Sequence, residues 1–419
     1  MDVELVSIGD ELLLGYTIDT NAAFFARQAA ALGIRVARRA TVGDGADEIA
    51  AGVREALDRT GAVITSGGLG PTADDLTKPS IAALFGRGML LDESIVESLK
   101  ARWKARGWPG ELPVANRAQA MIPAGATILQ NQHGSAPGIW LEDERGRWVA
   151  MLPGVPREFR CMTADTLLPR IVALGATGTV IRSRTLRTTG IAESAVADAL
   201  GALAKDPLGV SLAYLPGWEG VDLRLTVRDL PSAVATERLA AAEGAVRERI
   251  GRWVYGLDEA DLSLLVLDAL RARAMHIAVA ESCTGGMLGM RLTAVPGSSD
   301  VVQGGIIAYD NAVKVRDLGV SEATLAAHGA VSEETARAMA TGVRTRMGVD
   351  VGVSITGVAG PGGGTPEKPV GTFCVGVDVR GEVRSLRTSG VGDRHEIRQR
   401  ATQAALSLVR KALDGRPAQ

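Results

Sequence analysis

Two rhythms of apolar and polar residues run along this chain and divide it into elements. Val3–Ile8 is a short β-rich run, Asn21–Leu32 carries helical spacing and stops at Gly33, and Ile34–Thr41 reads as a strand. Ala46–Arg59 is helical in period, and Ala62–Ser66 is a strand running into Gly67-Gly68-Leu69-Gly70-Pro71. Apolar strands alternating with helices predict a parallel sheet covered on both faces. That pattern continues to Met151–Pro156, where two prolines and a glycine close the unit. From Arg182 to Tyr255 the texture changes. Thr185–Thr188, Val210–Tyr214 and Val221–Val227 alternate like half-exposed strands, and Glu193–Leu203 and Ala233–Ile250 read as helices. This predicts a small α+β module. Gly256–Asp261 reads as an acidic linker into a third α/β unit, giving domains at 1–170, 171–256 and 257–419.

Composition narrows the class. A length of 419 residues exceeds one ordinary core, and 46% hydrophobic with 22% charged residues describes a soluble globular protein. Aromatics are only 4% and the formal net charge is −2, so neither a stacking surface nor a basic stripe for nucleic acid is expected. The apolar stretch Leu262–Ala280 is interrupted by Asp268, Arg271, Arg273 and His276, which excludes a membrane span there. The opening residues lack a signal-peptide pattern, and three cysteines have no metal spacing. The expectation is a cytoplasmic, reduced protein without structural zinc.

Candidate chemistry is densest at Ala280-Glu281-Ser282-Cys283-Thr284-Gly285-Gly286, between an apolar strand and a helical pattern. A serine at such a corner sits beside backbone N–H groups, here around Thr284–Gly286, that can polarise a carbonyl. Of the four histidines (His133, His276, His328 and His395), His276 lies on the same strand as Ser282 and His328 reads as a turn or core contact. A lysine base is the better candidate if burial lowers its pKa, which selects Lys314, with Tyr309 five residues earlier as proton relay. Each residue alone has a plainer reading: a helix cap, rim packing, a solvated amine. Cys283 is a rival nucleophile that its sequence neighbours do not separate from Ser282.

The first third carries a second set: Gly9-Asp10-Glu11, Asp19-Thr20-Asn21, Gly43-Asp44, and Gly67-Gly68-Leu69-Gly70-Pro71-Thr72-Ala73-Asp74-Asp75-Leu76-Thr77. A glycine turn between strand and helix offers N–H groups to a phosphate. Asp44, Asp74 and Asp75 nearby suggest a hard divalent cation bridging that phosphate. Neither a Walker lysine motif nor GxGxxG is present. Asp74 or Asp75 capping the next helix is the plainer alternative.

These blocks, with Pro296-Gly297-Ser298-Ser299, Tyr309-Asp310-Asn311, His328-Gly329-Ala330-Val331-Ser332, Thr356-Gly357-Val358-Ala359-Gly360-Pro361 and Glu367-Lys368-Pro369-Val370-Gly371-Thr372, resemble the CinA family over nearly the whole chain. The resemblance implies a three-layer α/β/α molybdopterin-binding-like N-terminal domain, a KH-like α+β module, and a three-layer α/β CinA domain. It implies that the last domain deamidates nicotinamide mononucleotide (NMN) to nicotinic acid mononucleotide and ammonia without a cofactor, Ser282 acting as nucleophile, Lys314 as base and Tyr309 as assistant. Thr284, Gly285, Gly286, Thr356, Gly357 and Gly360 would hold substrate, with Arg394 and Arg398 facing its phosphate or ribose. For the first domain it implies hydrolysis of ADP-ribose to AMP and ribose 5-phosphate with a divalent metal (Mg, Mn or Co). Gly9, Asp10, Glu11, Asn21, Gly67, Gly68, Gly70, Thr72, Thr77 and Lys78 would then bind the nucleotide, and Asp44, Asp74 and Asp75 the metal. Where Ser135 stands the family usually has threonine. Gly217-Trp218-Glu219-Gly220 matches a KH GXXG loop in spacing, but Glu219 is a poor phosphate partner, so a hairpin turn is expected. The family also implies a homodimer. Its association with competence and DNA damage offers an interaction-protein alternative, and its fold offers molybdopterin binding.

Overall fold

The computed structural model describes residues 1–175 and 178–415. The chain divides into two compact units, Met1–Arg182 with Val227–Glu237, and Ser183–Thr226 with Arg238–Gln419. Most of the middle module therefore shares a unit with the C-terminal domain.

In the first unit, strands Arg35–Val42, Asp2–Ile8, Ala62–Ser66, Trp148–Leu152, Gly138–Glu142 and Thr127–Leu129 form one sheet in that order. The first four run parallel, and Gly138–Glu142 pairs antiparallel with both of its neighbours. The parallel sheet expected from the βα alternation thus contains one reversed strand, Gly138–Glu142, beyond which the edge strand Thr127–Leu129 returns to the parallel direction. Period-two alternation sends Val3, Leu5 and Ile64 to a core with Phe25 and Phe159, and Val6, Ile8 and Val63 to another with Ile49, Val53 and Ile81. Helices Thr20–Ala31 and Pro156–Met162 supply the first core, Ala46–Thr60 and Thr77–Leu84 the second. Asp19 caps the first of these helices by accepting from Ala22 N–H at 2.9 Å.

Two further sheets follow, one in the middle module and one in the C-terminal domain. Strands Ser211–Pro216, Val221–Pro231, Thr179–Thr188 and Val254–Leu257 order the middle module, with helices Glu193–Leu200 and Ser232–Ile250. Gly256 and Leu257 belong to the last of these strands, so the expected linker is shorter. Gly217–Gly220 is a hairpin turn, closed by Gly217 N–H on Gly220 O at 2.8 Å.

The C-terminal sheet runs Val302–Ile307, Ile277–Glu281, Val351–Gly357, Thr372–Val379, Glu382–Ser389; the first three are parallel, and Thr372–Val379 runs antiparallel to both of its neighbours. One face is built from Ile277, Val279, Val353, Ile355 and Val375 against helices Leu262–Arg271 and Arg394–Leu413. The other face carries small residues, and helix Glu333–Met347 lies almost on the sheet backbone. A Cβ on Gly376 would meet Ala336 O at 2.3 Å and one on Gly352 would meet Ala340 O at 2.1 Å. Between them Ser354 Oγ donates to Ala336 O at 2.6 Å.

Gly376→Ala is expected to lower the urea midpoint of the second unit by the equivalent of about 2 kcal/mol, with an unchanged slope, because rigid backbone must move. Gly362→Ala, which meets nothing within 4 Å, should leave the midpoint in place.

Candidate functional site

The Ser282 turn is organised by the residue before it. Strand Ile277–Glu281 ends on Glu281, whose side chain is 1% exposed and accepts from Gly286 N–H (3.1 Å), Leu288 N–H (3.0 Å) and Gly289 N–H (2.8 Å). A carboxylate there satisfies the orphan donors opening helix Met287–Thr293. Gly285 N–H closes the turn on Ser282 O at 3.0 Å, and Gly285 and Gly286 take positive φ values of 56° and 97°. The N–H groups of Gly285 and Gly286, expected to be free, are therefore committed. Those of Cys283 and Thr284 donate to no other described residue. Thr284 Oγ1 is buried and equally unpaired. Ser282 itself is 8% exposed, with its N–H on Ile355 O at 2.9 Å.

Lys314 follows Asp310, which caps helix Asn311–Leu318. Its side chain is 1% exposed, and Nζ donates to Ala308 O at 2.9 Å and Tyr309 O at 3.3 Å. Ala308 N–H in turn donates to Glu281 O at 2.7 Å, which ties the lysine to the serine turn. Burial draws the Lys314 pKa below the ordinary lysine value, against upward pulls from Asp310 and Cys283. Burial pushes the Cys283 thiol up to about 12, which disfavours its thiolate at neutral pH.

The neighbouring residues brace this arrangement. Arg394 donates from Nη2 to Tyr309 Oη at 2.7 Å and from Nη1 to Gly360 O at 2.6 Å. Arg398 Nη2 donates to Thr284 O at 2.6 Å. Both guanidiniums thus hold protein groups at the site. Thr356 Oγ1 is spent on Ala330 O at 2.7 Å, and a Cβ on Gly357 would strike Phe373 Cβ at 2.6 Å. These two residues shape the loop rather than offer free donors.

In the first unit a cleft of about 460 Å³ opens at the ends of the parallel strands. Gly9, Glu11, Asn21, Asp44, Gly67, Gly68, Gly70, Asp74 and Asp75 line it, joined by Asp19, Ser66, Gln119, Ser135 and Glu158. Gly67 (φ 115°) must be glycine because a Cβ would lie 2.2 Å from Ile8 O, and Gly68 (φ 66°) because a Cβ would lie 2.0 Å from Thr77 Oγ1. Gly67 N–H is bound by Leu152 O, and Gly70 N–H by Asp75 Oδ1 at 2.7 Å; Gly68 and Leu69 N–H donate to no described residue. Asn21 Nδ2 is fixed by Ser66 Oγ (2.9 Å) and Gly154 O (2.8 Å), leaving its buried Oδ1 as an unused acceptor.

Several expected ligands stand elsewhere. Lys78 is buried with Nζ on Ala118 O (2.6 Å) and Gln119 O (3.1 Å), and burial pushes its pKa down to about 8. Thr77 Oγ1 donates to Gly67 O at 3.0 Å, and Thr72 binds Asp75 through N–H (2.8 Å) and Oγ1 (2.5 Å). Asp10 exchanges contacts with Asp44, its N–H donating to Asp44 Oδ2 at 3.1 Å. Among the described residues no three carboxylate, histidine or cysteine side chains converge as a metal cage. Asp44, Asp74 and Asp75 share the cleft without forming one. Glu281 was missed as a functional position, although an acid just before a glycine turn and helix is a readable signal.

Fold and sites define a multidomain α/β protein that joins a glycine-loop cleft domain to a domain with a buried lysine beside a serine turn. Residues 259–413 match the CinA C-terminal domain, residues 4–173 the family described as Probable molybdopterin binding domain, and residues 183–256 the Damage-inducible protein CinA KH domain. A CinA-like protein of Gemmatimonas aurantiaca is 62% identical over 413 residues, covering 98% of this chain and 96% of the relative. A CinA-like protein of Salinibacter ruber is 44% identical over 415 residues, with 99% and 100% covered. The solved competence/damage inducible protein CihA from Agrobacterium tumefaciens is 39% identical over 36% of this chain and 93% of its own, with a TM-score of 0.36. The chain belongs to the CinA family.

Replacing Glu281 by Ala leaves three backbone donors, the Leu288 N–H fully buried and two part-buried, without an acceptor. It is expected to destabilise the second unit by about 3 kcal/mol or more. The amides of Gly286, Leu288 and Gly289 should lose hydrogen-exchange protection first.

Proposed function

We propose that the Ser282 site is a nucleotide amidohydrolase that deamidates NMN. The observation carrying this reading is the desolvated Lys314 amine beside a serine turn that keeps two N–H groups uncommitted. Ser282 Oγ attacks the carboxamide carbon and passes its proton to neutral Lys314, whose Nζ is aimed from the Ala308 and Tyr309 carbonyls. The oxyanion forms against Cys283 and Thr284 N–H, which costs no reorganisation because no other residue competes for them. The C–N bond breaks with proton return to the leaving ammonia, and water cleaves the acyl-serine. Tyr309, held by Arg394, completes the proton path. The CinA resemblance supports NMN as the substrate.

The cleft of the first unit favours a second activity, hydrolysis of ADP-ribose to AMP and ribose 5-phosphate. Gly68 and Leu69 N–H are suited to a phosphate oxygen, and Asn21 Oδ1 to a donor on the ribose or base. The carboxylates present do not make a dedicated metal cage. They fit a divalent cation carried mainly by the substrate diphosphate, with exposed Asp74 as the available protein ligand, since Asp75 is occupied by Gly70 and Thr72. Such a cation would neutralise charge on the diphosphate when bound. A cytoplasmic homodimer accords with the family resemblance and belongs to the same proposal.

Ser282→Ala is expected to reduce release of ammonia from NMN at least about a thousandfold with unchanged thermal unfolding; substantial residual turnover removes serine from the role. Activity should rise with pH through an apparent pKa below that of ordinary lysine, because the neutral amine is the active form, and Lys314→Arg should abolish it. Asn21→Ala should lower ADP-ribose hydrolysis, assayed with Mg, Mn and Co in turn, while NMN turnover stays at the parent level.

A further inference from the structure

Two stretches remote in sequence meet at the cleft of the first unit: the loop 131–138 and the first turn of helix Pro156–Met162. That helix follows strand Trp148–Leu152, and the glycine turn follows the adjacent parallel strand Ala62–Ser66. Both connections therefore leave the sheet at the same end, and Gly67 N–H on Leu152 O at 3.1 Å joins them.

Glu158 stands on the first helical turn, half-buried and lining the cleft. Its Oε2 accepts from Asn131 Nδ2 at 2.6 Å. Asn131 is 7% exposed and fully committed: Nδ2 also donates to Ala136 O at 2.8 Å, and Oδ1 accepts from His133 N–H at 3.0 Å. Arg102 holds the same loop, donating to Gly134 O and, at 2.8 Å, to Asn131 O. The φ of Gly134 is outside the left-handed region, so its backbone does not call for glycine. Its neighbour does. A Cβ there would lie 1.7 Å from Glu158 Oε2 and 1.8 Å from Cδ, so any larger residue would push the carboxylate aside. The other carboxylate oxygen, Oε1, accepts from no described residue and is not closed over.

The other acids of the cleft are committed or exposed. Asp19 accepts at both oxygens, from Ser7 Oγ and Ala22 N–H, and Asp75 at both from Gly70 and Thr72. Asp44 meets the like charge of Asp10 across exposed contacts, and Glu11 and Asp74 are exposed. Among these acids Glu158 alone combines a buried side-chain anchor with a free oxygen.

We propose, on the reading of this cleft as an ADP-ribose hydrolase, that Glu158 is the general base that takes a proton from the attacking water. The water oxygen bonds to phosphorus and the bond from that phosphorus to the bridging oxygen breaks. The bridging oxygen leaves on one of the two monophosphate products, and the water proton passes to Glu158 Oε1 and then to solvent. A loose carboxylate is repelled by a diphosphate. The Asn131 anchor keeps this one in place, which is what a base beside an anionic substrate requires.

Steady-state hydrolysis of ADP-ribose by the full-length protein, at varied Mg, tests the assignment. Glu158→Gln keeps an oxygen for Asn131 but cannot take the proton. Its kcat should fall at least about a hundredfold, with KM, AMP affinity and thermal unfolding at parent values. Gly134→Ala, which keeps Glu158 but displaces its carboxylate, should lower kcat about tenfold or more and decides the matter if Glu158→Gln fails to fold. Parent-level kcat in either folded variant overturns the proposal. A loss that excess Mg restores makes Glu158 a cation ligand, and a loss confined to KM makes it a binding group; each overturns the base. A parent protein inert toward ADP-ribose with Mg, Mn and Co removes the reading of the cleft itself, and the base with it.

Discussion

The C-terminal domain depends on one buried carboxylate. Glu281 is the last residue of a central strand, and its side chain and main chain point to different tasks. The carboxylate gathers three amides of the next helix, which fixes where that helix begins. The carbonyl binds Ala308, which fixes how the neighbouring edge strand ends. Between these anchors the chain has no choice but to turn tightly, and Ser282 sits on the turn. Because the carboxylate consumes the amides that a helix start would normally present, the N–H groups left over belong to the turn itself. The geometry of the Ser282 turn is thus a by-product of satisfying backbone donors.

The same physical device appears twice, with different results. Lys314 and Lys78 each bury an ammonium against the carbonyls of two consecutive residues, and burial lowers both pKa values. In the second unit the clip is tied to the serine turn through Ala308 and Glu281. In the first unit it lies behind the cleft, where it fixes the backbone of Gln119, a residue that does line the cleft. A lysine in the first turns of a helix cannot be given a role by type alone. What it does follows from which carbonyls it reaches.

The elements were largely legible because period-two and helical spacing are local properties. Val3–Ile8, Ala46–Arg59 and Ala62–Ser66 stand within a residue or so of where their patterns place them. The reversed strand Gly138–Glu142 was not legible, since strand direction depends on pairing partners rather than on side-chain rhythm. The split is similar at the sites. Lys314 is tied to the Ser282 turn through Ala308 and Glu281, and Tyr309 is held by Arg394. The partners of Arg394, Thr356 and Thr77 were hidden, because each binds a carbonyl or hydroxyl brought near only by the fold. Polar residues in a dense motif look alike in sequence, whether they meet a substrate or hold the loop that does.

The two faces of the C-terminal sheet carry unequal freedom to vary. On the side of Leu262–Arg271 and Arg394–Leu413, branched aliphatic side chains fill the interlayer space, and one can exchange for another if its neighbour compensates in volume. On the side of Glu333–Met347 the helix backbone rests on Gly352, Ser354 and Gly376, and the first atoms an added Cβ would meet are the main-chain oxygens of Ala340 and Ala336, which no shrinkage of a side chain moves aside. Sequence drift in this domain should therefore be lopsided. One layer can be rewritten in compensated pairs, while the other admits only residues no larger than those it already has.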